Sequence, residues 1–513
     1  MRRPILAAVL FFAFAQPVSA ARFSLVEARP AALPFLRIVG ADELSPSIGM
    51  WRLRSDLVPQ LRSAGLLRLA EPERRLEPAQ ARAGDPLVST EWWLPSVGAD
   101  KMQPPGPGVP VSVVDGGLDV THPEFSGRPN TILLNRQNIA NNAEDFHGTA
   151  VASVAAAPEN GVGIIGVYPQ AVVRSYDADL SGKLTDGELV AGIEAAAQAG
   201  PSVINLSLGS PEFDEPLQDE IYSVFRRGSI VVAASGNSKD HGNPINFPAN
   251  MSHVLTVAAT DEQDATTSFS SSSPGVDLSA PGVDIPVAVP RTVDVTGYKT
   301  LDRTSFSAPI VSGATAWVWT ARPNLDNTQI FDLMRWSARD VGRRGFDNDT
   351  GWGILDIPNA LTMPAPARDP GEPNDDVFLV KPGVMFANGE PALTTASKSS
   401  AKLTARLDVT EDPEDVYRIY IPARKTVSVT VHGSANVHLE VWKPSTPSVL
   451  ETGASEKRDL AGSSHKPGTA PATVTAKNAG KRGAYYFADV FPGRGVGTAS
   501  YTLSVKTRAT ARR

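Results

Sequence analysis

Apolar runs and helical segments alternate through the middle of the chain. Between residues 85 and 363, continuous apolar runs such as 203–208 and 254–258 are separated by segments of helical period such as 188–199. Strands of a parallel sheet are apolar throughout because helices cover both faces of the sheet. We therefore predict an α/β domain in which a parallel sheet lies between layers of helices.

The pattern changes to a period of two in the last third of the chain. Residues 425–432, 437–442 and 501–505 alternate between apolar and polar side chains, and the polar stretch 453–480 reads as a connection between strands. Such alternation is typical of strands with one buried and one solvated face. A small antiparallel β-sandwich is predicted over residues 369–505.

The residues between the leader and the α/β domain have a mixed pattern. The apolar runs 35–39 and 49–53 read as strands, and residues 55–64 have the period of a helix. A small α+β unit built from strand, helix and strand is predicted for residues 21–84.

The first twenty residues predict a secretory signal peptide. Arg2 and Arg3 precede the apolar run 5–15, and the small residues 18–20 supply a cleavage site. The run is shorter than the ~20 residues that a membrane-spanning helix needs, so a cleaved leader is preferred to a retained anchor. The mature protein is expected to be secreted, outside the cell or in a periplasm, without a membrane span.

The predicted organisation therefore has six parts. They are a signal peptide at 1–20, an α+β segment at 21–84, an α/β domain at 85–363, a linker at 364–368, a β-sandwich at 369–505 and a basic tail at 506–513.

Composition and charge exclude several classes of function. The 513 residues include 48 Lys and Arg against 55 Asp and Glu, a net charge of −7, so no electrostatic attraction to nucleic acid is expected. The chain has no cysteine, which excludes disulfides, thiolate nucleophiles and cysteine-ligated zinc.

Three side chains in the α/β region carry the candidate chemistry. Asp115 ends a strand-like run, His147 stands before an alanine-rich helix 32 residues later, and Ser305 stands at the start of another helix 158 residues further on. Each of the three taken alone could have an ordinary structural role. Asp115 could be a turn residue, His147 a capping or packing residue, and Ser305 a helix N-cap. Together, Asp, His and Ser in this order are the triad order of subtilisin.

The motifs around these residues resemble those of the subtilase family. The matching segments are VVDGG followed by THPEF, HGTAVA, TSFSAP followed by VSG, and then INLSLGS, VVAASGN, NFPAN and GWGILD. The resemblance implies a subtilisin-like three-layer fold and a serine endopeptidase, made as a zymogen, that hydrolyses peptide bonds through an acyl-enzyme intermediate.

The resemblance also implies a role for each site residue. His147 would take the proton of Ser305, Asp115 would orient the imidazole, and Asn237 would complete the oxyanion hole. The residues implied to line the substrate cleft are Ser207, Leu208, Gly209, Ala234, Ser235, Gly236 and Asn246.

Two departures from the family pattern leave an alternative open. Arg303 stands where the family usually has Gly, so a left-handed backbone there would be strained and a cation would lie near the cleft. Phe306 replaces the more usual Met after the serine. The alternative function is a catalytically weak homologue that acts as a secreted binding protein. Relatives with a Glu/Asp/Ser site are disfavoured because His147 lies in an intact HGT motif.

No metal is predicted at the reacting groups, and the chemistry needs no cofactor. A set of residues has the spacing of an EF-hand loop, but it follows a strand pattern, and Thr185 with Glu188 reads better as a helix cap. That set is Asp177, Asp179, Ser181, Gly182 and Glu188. Structural calcium ions are common in the family, so the resemblance leaves such an ion open elsewhere in the chain, without assigned ligands.

The flanking regions and partners are interpreted from the same resemblance. Residues 21–84 are similar to a subtilase propeptide, which would act as intramolecular inhibitor and chaperone and be cut off near Gly84. Residues 369–505 resemble a bacterial pre-peptidase C-terminal domain through the segments EPNDD, DPEDVYRIYIP and YYFADV. Protein or peptide substrates and a monomeric enzyme are expected.

Overall fold

The computed structural model describes residues 23–72, 84–137, 146–179, 182, 184–374, 392–409, 411–450 and 452–508. The predicted signal peptide and most of the basic tail lie outside these residues. The chain divides into two compact units, Met1–Ala83 and Gly84–Arg513. No helix among the described residues is long and apolar enough to cross a membrane.

In the first unit, the described residues 23–72 form a four-stranded antiparallel sheet with two short α-helices. Its elements are β1 (Phe23–Ala28), α1 (Leu33–Ile38), β2 (Asp42–Ser45), β3 (Met50–Arg54), α2 (Val58–Ser63) and β4 (Leu67–Pro72), in the sheet order β2-β3-β1-β4. The expected strand at 35–39 is wrong, because α1 occupies most of this run. Pro34 in the first helical turn favours a helix there, and Phe35 and Leu36 fill the small core.

The second unit begins with the α/β domain, whose central sheet has seven strands. They are β5 (Val111–Asp115), β6 (Thr131–Leu133), β7 (Val173–Asp177), β8 (Val203–Leu206), β9 (Ile230–Ala234), β10 (Val254–Thr260) and β11 (Leu278–Pro281). Every pairing in the sheet is parallel, in the order β11-β10-β9-β8-β5-β7-β6. The predicted parallel sheet is confirmed.

Helices and one hairpin complete this domain. The helices are α3 (Trp93–Ser96), α4 (His147–Ala156), α5 (Asp186–Gln198), α6 (Glu215–Arg226), α7 (Thr304–Ala321), α8 (Asn327–Trp336) and α9 (Ile357–Thr362), and the hairpin pairs β12 (Ile285–Ala288) with β13 (Tyr298–Leu301). In the main core, α4 and α7 contribute Val151, Ile310 and Trp317, each at most 1% exposed. Packing on one shared core brings the two helices that carry His147 and Ser305 together.

The direction of sheet growth reverses at β5. The chain passes from β5 to β6 and β7 on one side, and then continues with β8, β9, β10 and β11 on the other. Open parallel sheets bind ligands at such a reversal, in the crevice beyond the carboxyl ends of the strands. Asp115 is the last residue of β5 and therefore lies at this crevice.

The C-terminal region forms two four-stranded antiparallel sheets, as predicted for a sandwich. One sheet has the order β14-β21-β16-β19 and the other the order β15-β20-β17-β18. The strands are β14 (Ser400–Asp408), β15 (Asp415–Ile421), β16 (Thr426–Gly433), β17 (Val437–Trp442), β18 (Leu460–Ser464), β19 (Ala472–Lys477), β20 (Ala484–Pro492) and β21 (Thr498–Arg508). The helix α10 (Gly453–Asp459) precedes β18.

The stretch 453–480, expected to be a connection, instead contains α10, β18 and β19. β19 alternates strictly between buried and exposed residues, and its exposed positions are Thr473, Thr475 and Lys477. The alternation is present in the sequence, but two of the three buried positions are alanine, a residue depleted in strands, so the signal is weak.

Candidate active site

His147 and Asp115 are joined by a hydrogen bond at the crevice. Nδ1 of His147 lies 2.8 Å from Oδ1 and 3.0 Å from Oδ2 of Asp115. All five residues of β5 are buried, and Asp115 is 3% exposed. A carboxylate facing Nδ1 favours the tautomer with a proton on that nitrogen, so that Nε2 is left as an acceptor.

A glycine allows the histidine helix to approach the strand that ends at Asp115. A Cβ atom on Gly148 would lie 2.3 Å from the carbonyl oxygen of Gly117. No side chain larger than hydrogen fits there, so the Gly of the HGT motif brings His147 within reach of Asp115.

The charge state of His147 depends on three influences. Burial lowers the pKa of the imidazole, the charge and hydrogen bond of Asp115 raise it, and the guanidinium of Arg303 lowers it. The attraction to Asp115 prevails, and the pKa of His147 is raised above its ordinary value.

Ser305 is the second residue of α7 and is 5% exposed. Its hydroxyl donates a 3.2 Å hydrogen bond to the carbonyl oxygen of Ser207, and none of its described bonds joins it to His147. The imidazole ring lies beside the next residue, with its centroid 6.0 Å from that of the Phe306 ring. The structure thus brings the histidine next to the segment that carries the serine.

The side chain of Asn237 is oriented by the residue before the serine. Its Oδ1 accepts hydrogen bonds from the backbone N–H of Thr304, at 2.9 Å, and from the Thr304 hydroxyl, at 3.0 Å. A backbone N–H can only donate, so Oδ1 faces Thr304 and Nδ2 points the other way as a donor. Sequence reasoning missed Thr304, although it directly precedes Ser305 in the TSFSAP motif.

A buried chain of hydrogen bonds supports the backbone of Ser305. Ser312 Oγ donates to Asn205 Oδ1 at 2.9 Å, Asn205 Nδ2 donates to Ser207 Oγ at 2.9 Å, and Ser207 Oγ donates to the Ser305 carbonyl at 2.8 Å. Asn205 and Ser312 were not predicted as site residues. The sequence motifs could have identified them, because Asn205 lies in INLSLGS and Ser312 lies in VSG.

The predicted cleft residues gather around Phe247. The segment 207–209 leads into Ser210, which exchanges backbone hydrogen bonds with Phe247 at 2.9 and 2.7 Å. Asn246 Nδ2 donates to the carbonyl of Ser235 at 3.2 Å. A Cβ atom on Gly236, whose φ is 108°, would lie 2.1 Å from Asn246 Nδ2, so only glycine fits at this point. Gly209 therefore lies against Phe247, and the preceding residue Asn246 contacts Ser235 and Gly236. Ala234 ends β9 directly before Ser235.

The left-handed backbone that would have strained Arg303 does not occur. Arg303 has φ −174° and ψ 158°, an extended conformation that any residue adopts, and it is the N-cap residue of α7. Its cation nevertheless acts on the site through the pKa of His147. Phe306 is 1% exposed and packs into the main core.

The EF-hand-like set contains a strand end and a capped helix. Asp177 ends β7, and the Thr185 hydroxyl accepts a 3.3 Å hydrogen bond from the Glu188 N–H at the start of α5. Ser181 lies outside the described residues. The Thr185 bond is the one that the helix-cap interpretation requires.

A second group of oxygens could hold a hard cation near the start of the α/β domain. Asp85 Oδ1 accepts the N–H groups of Asn160 and Val162 at 3.2 and 2.7 Å, and its Oδ2 is buried without a partner among the described residues. Glu124, 1% exposed, lies against the same loop and accepts from Asn160 Nδ2 at 3.4 Å. An orphaned carboxylate oxygen with a second buried carboxylate against the same loop is the kind of oxygen donor that Ca²⁺ prefers.

A parallel-sheet α/β fold with a histidine–carboxylate pair and a serine at a helix start is the arrangement of a serine hydrolase. Comparison with known proteins shows to which family of serine hydrolases the chain belongs. The model of the subtilase family matches residues 106–353. Subtilisin BL of Lederbergia lenta is 35% identical over 240 residues, which are 46% of this chain and 86% of that protein. Subtilisin DY of Bacillus licheniformis is 32% identical over 255 residues, 48% of this chain and 91% of that protein.

The chain belongs to the subtilase family and is a serine-type endopeptidase. The crystal structure of fervidolysin from Fervidobacterium pennivorans, a keratinolytic enzyme related to subtilisin, is similar with a TM-score of 0.50 and 19% identity. It covers 89% of this chain, which in turn covers 86% of fervidolysin. At this identity the likeness concerns the fold alone.

Proposed function

We propose that the protein is a secreted endopeptidase in which Ser305 is the nucleophile, His147 the general base and Asp115 the residue that orients the base. The hydrogen bond from His147 Nδ1 to Asp115 is the observation that carries the proposal. A serine hydroxyl is a weak nucleophile at neutral pH, and an imidazole with Nε2 held as acceptor is the partner it needs.

The reaction begins with a rotation of the Ser305 hydroxyl. Its hydroxyl donates to Ser207 O in the absence of substrate, and rotation about the Cα–Cβ bond redirects it to His147 Nε2. Catalytic hydrogen bonds are often loose in substrate-free enzymes and tighten in the substrate complex.

In the acylation step, His147 carries a proton from Ser305 to the leaving amine. Ser305 Oγ bonds to the peptide carbonyl carbon while its proton passes to His147 Nε2, and Asp115 stabilises the imidazolium. The carbonyl oxygen becomes an oxyanion, for which Asn237 Nδ2 and the Ser305 N–H are the proposed donors. When the C–N bond breaks, the imidazolium gives its proton to the leaving amine. Water then attacks the acyl carbon while His147 Nε2 takes its proton, and the bond to Ser305 Oγ breaks as the imidazolium returns that proton to the serine.

The substrate is proposed to be an extended peptide lying between the segments 207–209 and 234–236. Neither segment carries a charged side chain, which favours broad cleavage over single-site processing. Arg303 near His147 favours acidic over basic residues in the substrate. Digestion of a peptide library tests this point, since equal cleavage beside acidic and basic residues would exclude the charge effect.

The decisive test of catalysis is labelling combined with proteolysis. Casein hydrolysis should be abolished by a serine-directed fluorophosphonate that labels Ser305, and Ser305→Ala and His147→Ala should be inactive and unlabelled. Ser307→Ala, two residues along α7, is the labelling control. Absence of hydrolysis in folded wild-type protein would favour the catalytically weak binding protein instead.

Residues 21–84 are proposed to be a propeptide that the enzyme itself removes near Gly84 after the signal peptide has directed export. N-terminal sequencing and intact mass of the secreted protein test both cuts. The Ser305→Ala protein should keep its propeptide, and normal trimming of this variant would exclude self-processing.

The C-terminal sandwich is proposed to be a pre-peptidase C-terminal-like domain that either stabilises the enzyme or binds a substrate or surface. Near the start of the α/β domain, Asp85 and Glu124 are proposed to hold a calcium ion. That ion would neutralise buried carboxylates and fix the loop at residues 160–164, and it has no part in the chemistry.

A further inference from the structure

The peptide group after Ser305 lacks the hydrogen bond that a regular helix would give it. Ser305 is the second residue of α7, and Pro309 lies four residues further on inside the same helix. In an α-helix the carbonyl of a residue accepts from the N–H of the fourth residue after it. Because proline has no N–H, the carbonyl of Ser305 has no backbone donor at that position. The turn that carries the proposed nucleophile therefore needs a donor from elsewhere.

A side chain from the central sheet supplies this donor. Ser207 directly follows β8, and its Oγ donates a 2.8 Å hydrogen bond to the carbonyl of Ser305. Ser207 is 3% exposed and Ser305 is 5% exposed, so little water reaches the bond to replace it. The hydroxyl of Ser207 thus takes the place of the N–H that Pro309 does not have.

Ser207 holds the nucleophile through two different atoms. Its Oγ donates to the carbonyl of Ser305, and its own carbonyl accepts the 3.2 Å hydrogen bond from Ser305 Oγ. A peptide unit turns as a rigid plane, so the first bond fixes the ψ angle of Ser305. This bond does not involve the Ser305 hydroxyl. It therefore persists when the hydroxyl rotates towards His147, and it can hold the backbone of Ser305 throughout the reaction.

A buried asparagine sets the direction in which the Ser207 hydroxyl donates. Asn205 Nδ2 donates to Ser207 Oγ at 2.9 Å, and Asn205 Oδ1 accepts from Ser312 Oγ at 2.9 Å. An amide nitrogen can only donate, so it occupies a lone pair of the Ser207 oxygen and leaves the Ser207 proton for the carbonyl of Ser305. Asn205 and Ser312 are both 0% exposed. Because Ser312 also belongs to α7, the chain of bonds begins and ends on the helix that it orients.

We propose that Ser207 and Asn205 are positioning residues whose side chains replace the backbone donor lost at Pro309 and hold Ser305 in the orientation that attack requires. The inference rests on the proposed role of Ser305 as the nucleophile. It gives the Ser207 side chain a different role from the cleft-lining one that the family resemblance implies, because the hydroxyl is committed to Ser305. A misplacement of about 1 Å at a reacting atom can cost about 10²-fold in rate, so a single bond to this backbone matters for catalysis.

Ser207→Ala removes the donor and tests the first link. Hydrolysis of a chromogenic peptide should show kcat reduced by about 10- to 10²-fold, with KM within about threefold of wild type, because the substrate does not bind to this hydroxyl. The rate at which a fluorophosphonate labels Ser305 should fall by a similar factor, since the reagent reacts with the same oxygen.

Ser112→Ala is the matched control. Ser112 lies in β5, is 0% exposed and donates a 2.9 Å hydrogen bond to Ser202 Oγ, so this change also removes a buried hydroxyl from the sheet. Its Tm should fall as in Ser207→Ala, but its kcat should stay within about threefold of wild type. A purely structural role for Ser207 would give the two variants the same kcat.

Pro309→Ala provides the test that is specific to the missing backbone donor. Alanine restores an N–H four residues after Ser305, so the carbonyl of Ser305 can again accept within the helix. If the Ser207 hydroxyl replaces this donor, the loss of kcat caused by Ser207→Ala should be several-fold smaller in the Pro309→Ala background than with Pro309 present. An equal loss in both backgrounds would overturn the proposal.

Asn205→Leu tests the second link and does not depend on whether Pro309→Ala folds. Leucine has a similar volume and cannot hydrogen-bond, so the Ser207 hydroxyl is free to turn away and kcat should fall, but by less than in Ser207→Ala. Circular dichroism identifies any variant that does not fold. If folded Ser207→Ala and Asn205→Leu keep the kcat of an active wild type, only the positioning role is wrong. A folded wild type that neither hydrolyses the peptide nor labels at Ser305 would refute the proposed function together with this inference.

Discussion

Both carboxylate oxygens of Asp115 lie within 3.0 Å of Nδ1 of His147, and a glycine, Gly148, makes this approach sterically feasible. One residue thus supplies the imidazole and the next supplies the space for it. The pair sets the tautomer of the base before substrate arrives, so neutralising the carboxylate should disable the base.

Asp115→Asn should reduce kcat by roughly 10⁴-fold while the protein stays folded. The amide keeps the shape of the carboxylate but can donate to Nδ1, so it favours the tautomer in which Nε2 carries the proton and cannot act as base. Hydrolysis of a chromogenic peptide measures kcat and KM. Asp119→Asn, four residues along the same loop, should stay within about threefold of wild type. A loss confined to KM would contradict the assigned role.

Asn237→Ala should reduce kcat by about 10²–10³-fold, the range known for loss of the corresponding donor in subtilisin itself. The related variant Thr304→Val loses the hydroxyl bond to Asn237 Oδ1 but keeps the backbone bond, so a smaller loss, on the order of tenfold, is expected. Thr304→Ser restores the hydroxyl and should recover most of the activity. If Thr304→Val and Thr304→Ser behave alike, the hydroxyl does not orient the amide.

Much of the α/β domain could be predicted from the sequence because its signals are local. Apolar runs and helical periods predicted the parallel sheet and its helices, and Asp115, His147 and Ser305 lie at element ends as expected. Motif order supplied the candidate site residues. Their roles remain predictions.

The features that escaped prediction depend on contacts distant in sequence. The hydrogen bond from Ser305 Oγ to Ser207 O joins residues 98 positions apart, and no spacing rule gives its direction. The extended backbone at Arg303 depends on how β13 enters α7, which a family preference for Gly could not reveal. The ion pair between Arg335 and Asp408 likewise needed the fold to bring its two residues together.

Arg303→Gln should move the acid limb of the pH–rate profile to higher pH. The Arg303 cation opposes protonation of His147, so its removal raises the pKa of the imidazole further. His147 acts as a base only when it is neutral. With a higher pKa it becomes neutral at a higher pH, so the acid limb moves to higher pH. Profiles of kcat/KM at low salt measure the limb.

The charge-reversed variant Arg303→Glu should shift the acid limb further in the same direction, and high salt should reduce both shifts. Arg343→Gln, an exposed change in a loop of the same domain, should leave the profile unchanged. A limb that moves to lower pH in Arg303→Gln would refute the electrostatic assignment.

Glu91→Gln should stabilise the protein at alkaline pH relative to wild type. Burial raises the pKa of Glu91 to about 9, and both carboxylate oxygens face the Ile165 N–H at 3.2 and 3.1 Å. An acid whose folded-state pKa is raised takes up a proton on folding. Its contribution to stability is therefore complete below its ordinary pKa of 4.5 and is lost as the pH rises towards about 9.

The glutamine side chain of the variant is neutral at every pH and avoids this loss. Between pH 6 and pH 9, urea unfolding in the Ser305→Ala background and in EDTA should show the parent losing about 2–4 kcal/mol of stability relative to the Glu91→Gln variant. Glu159→Gln, an exposed change near the same loop, should follow the parent at both pH values. A difference between Glu91→Gln and the parent that does not change with pH would mean that Glu91 is already ionised at pH 6, and the buried carboxylate would then need a positive partner in the loop at residues 160–165.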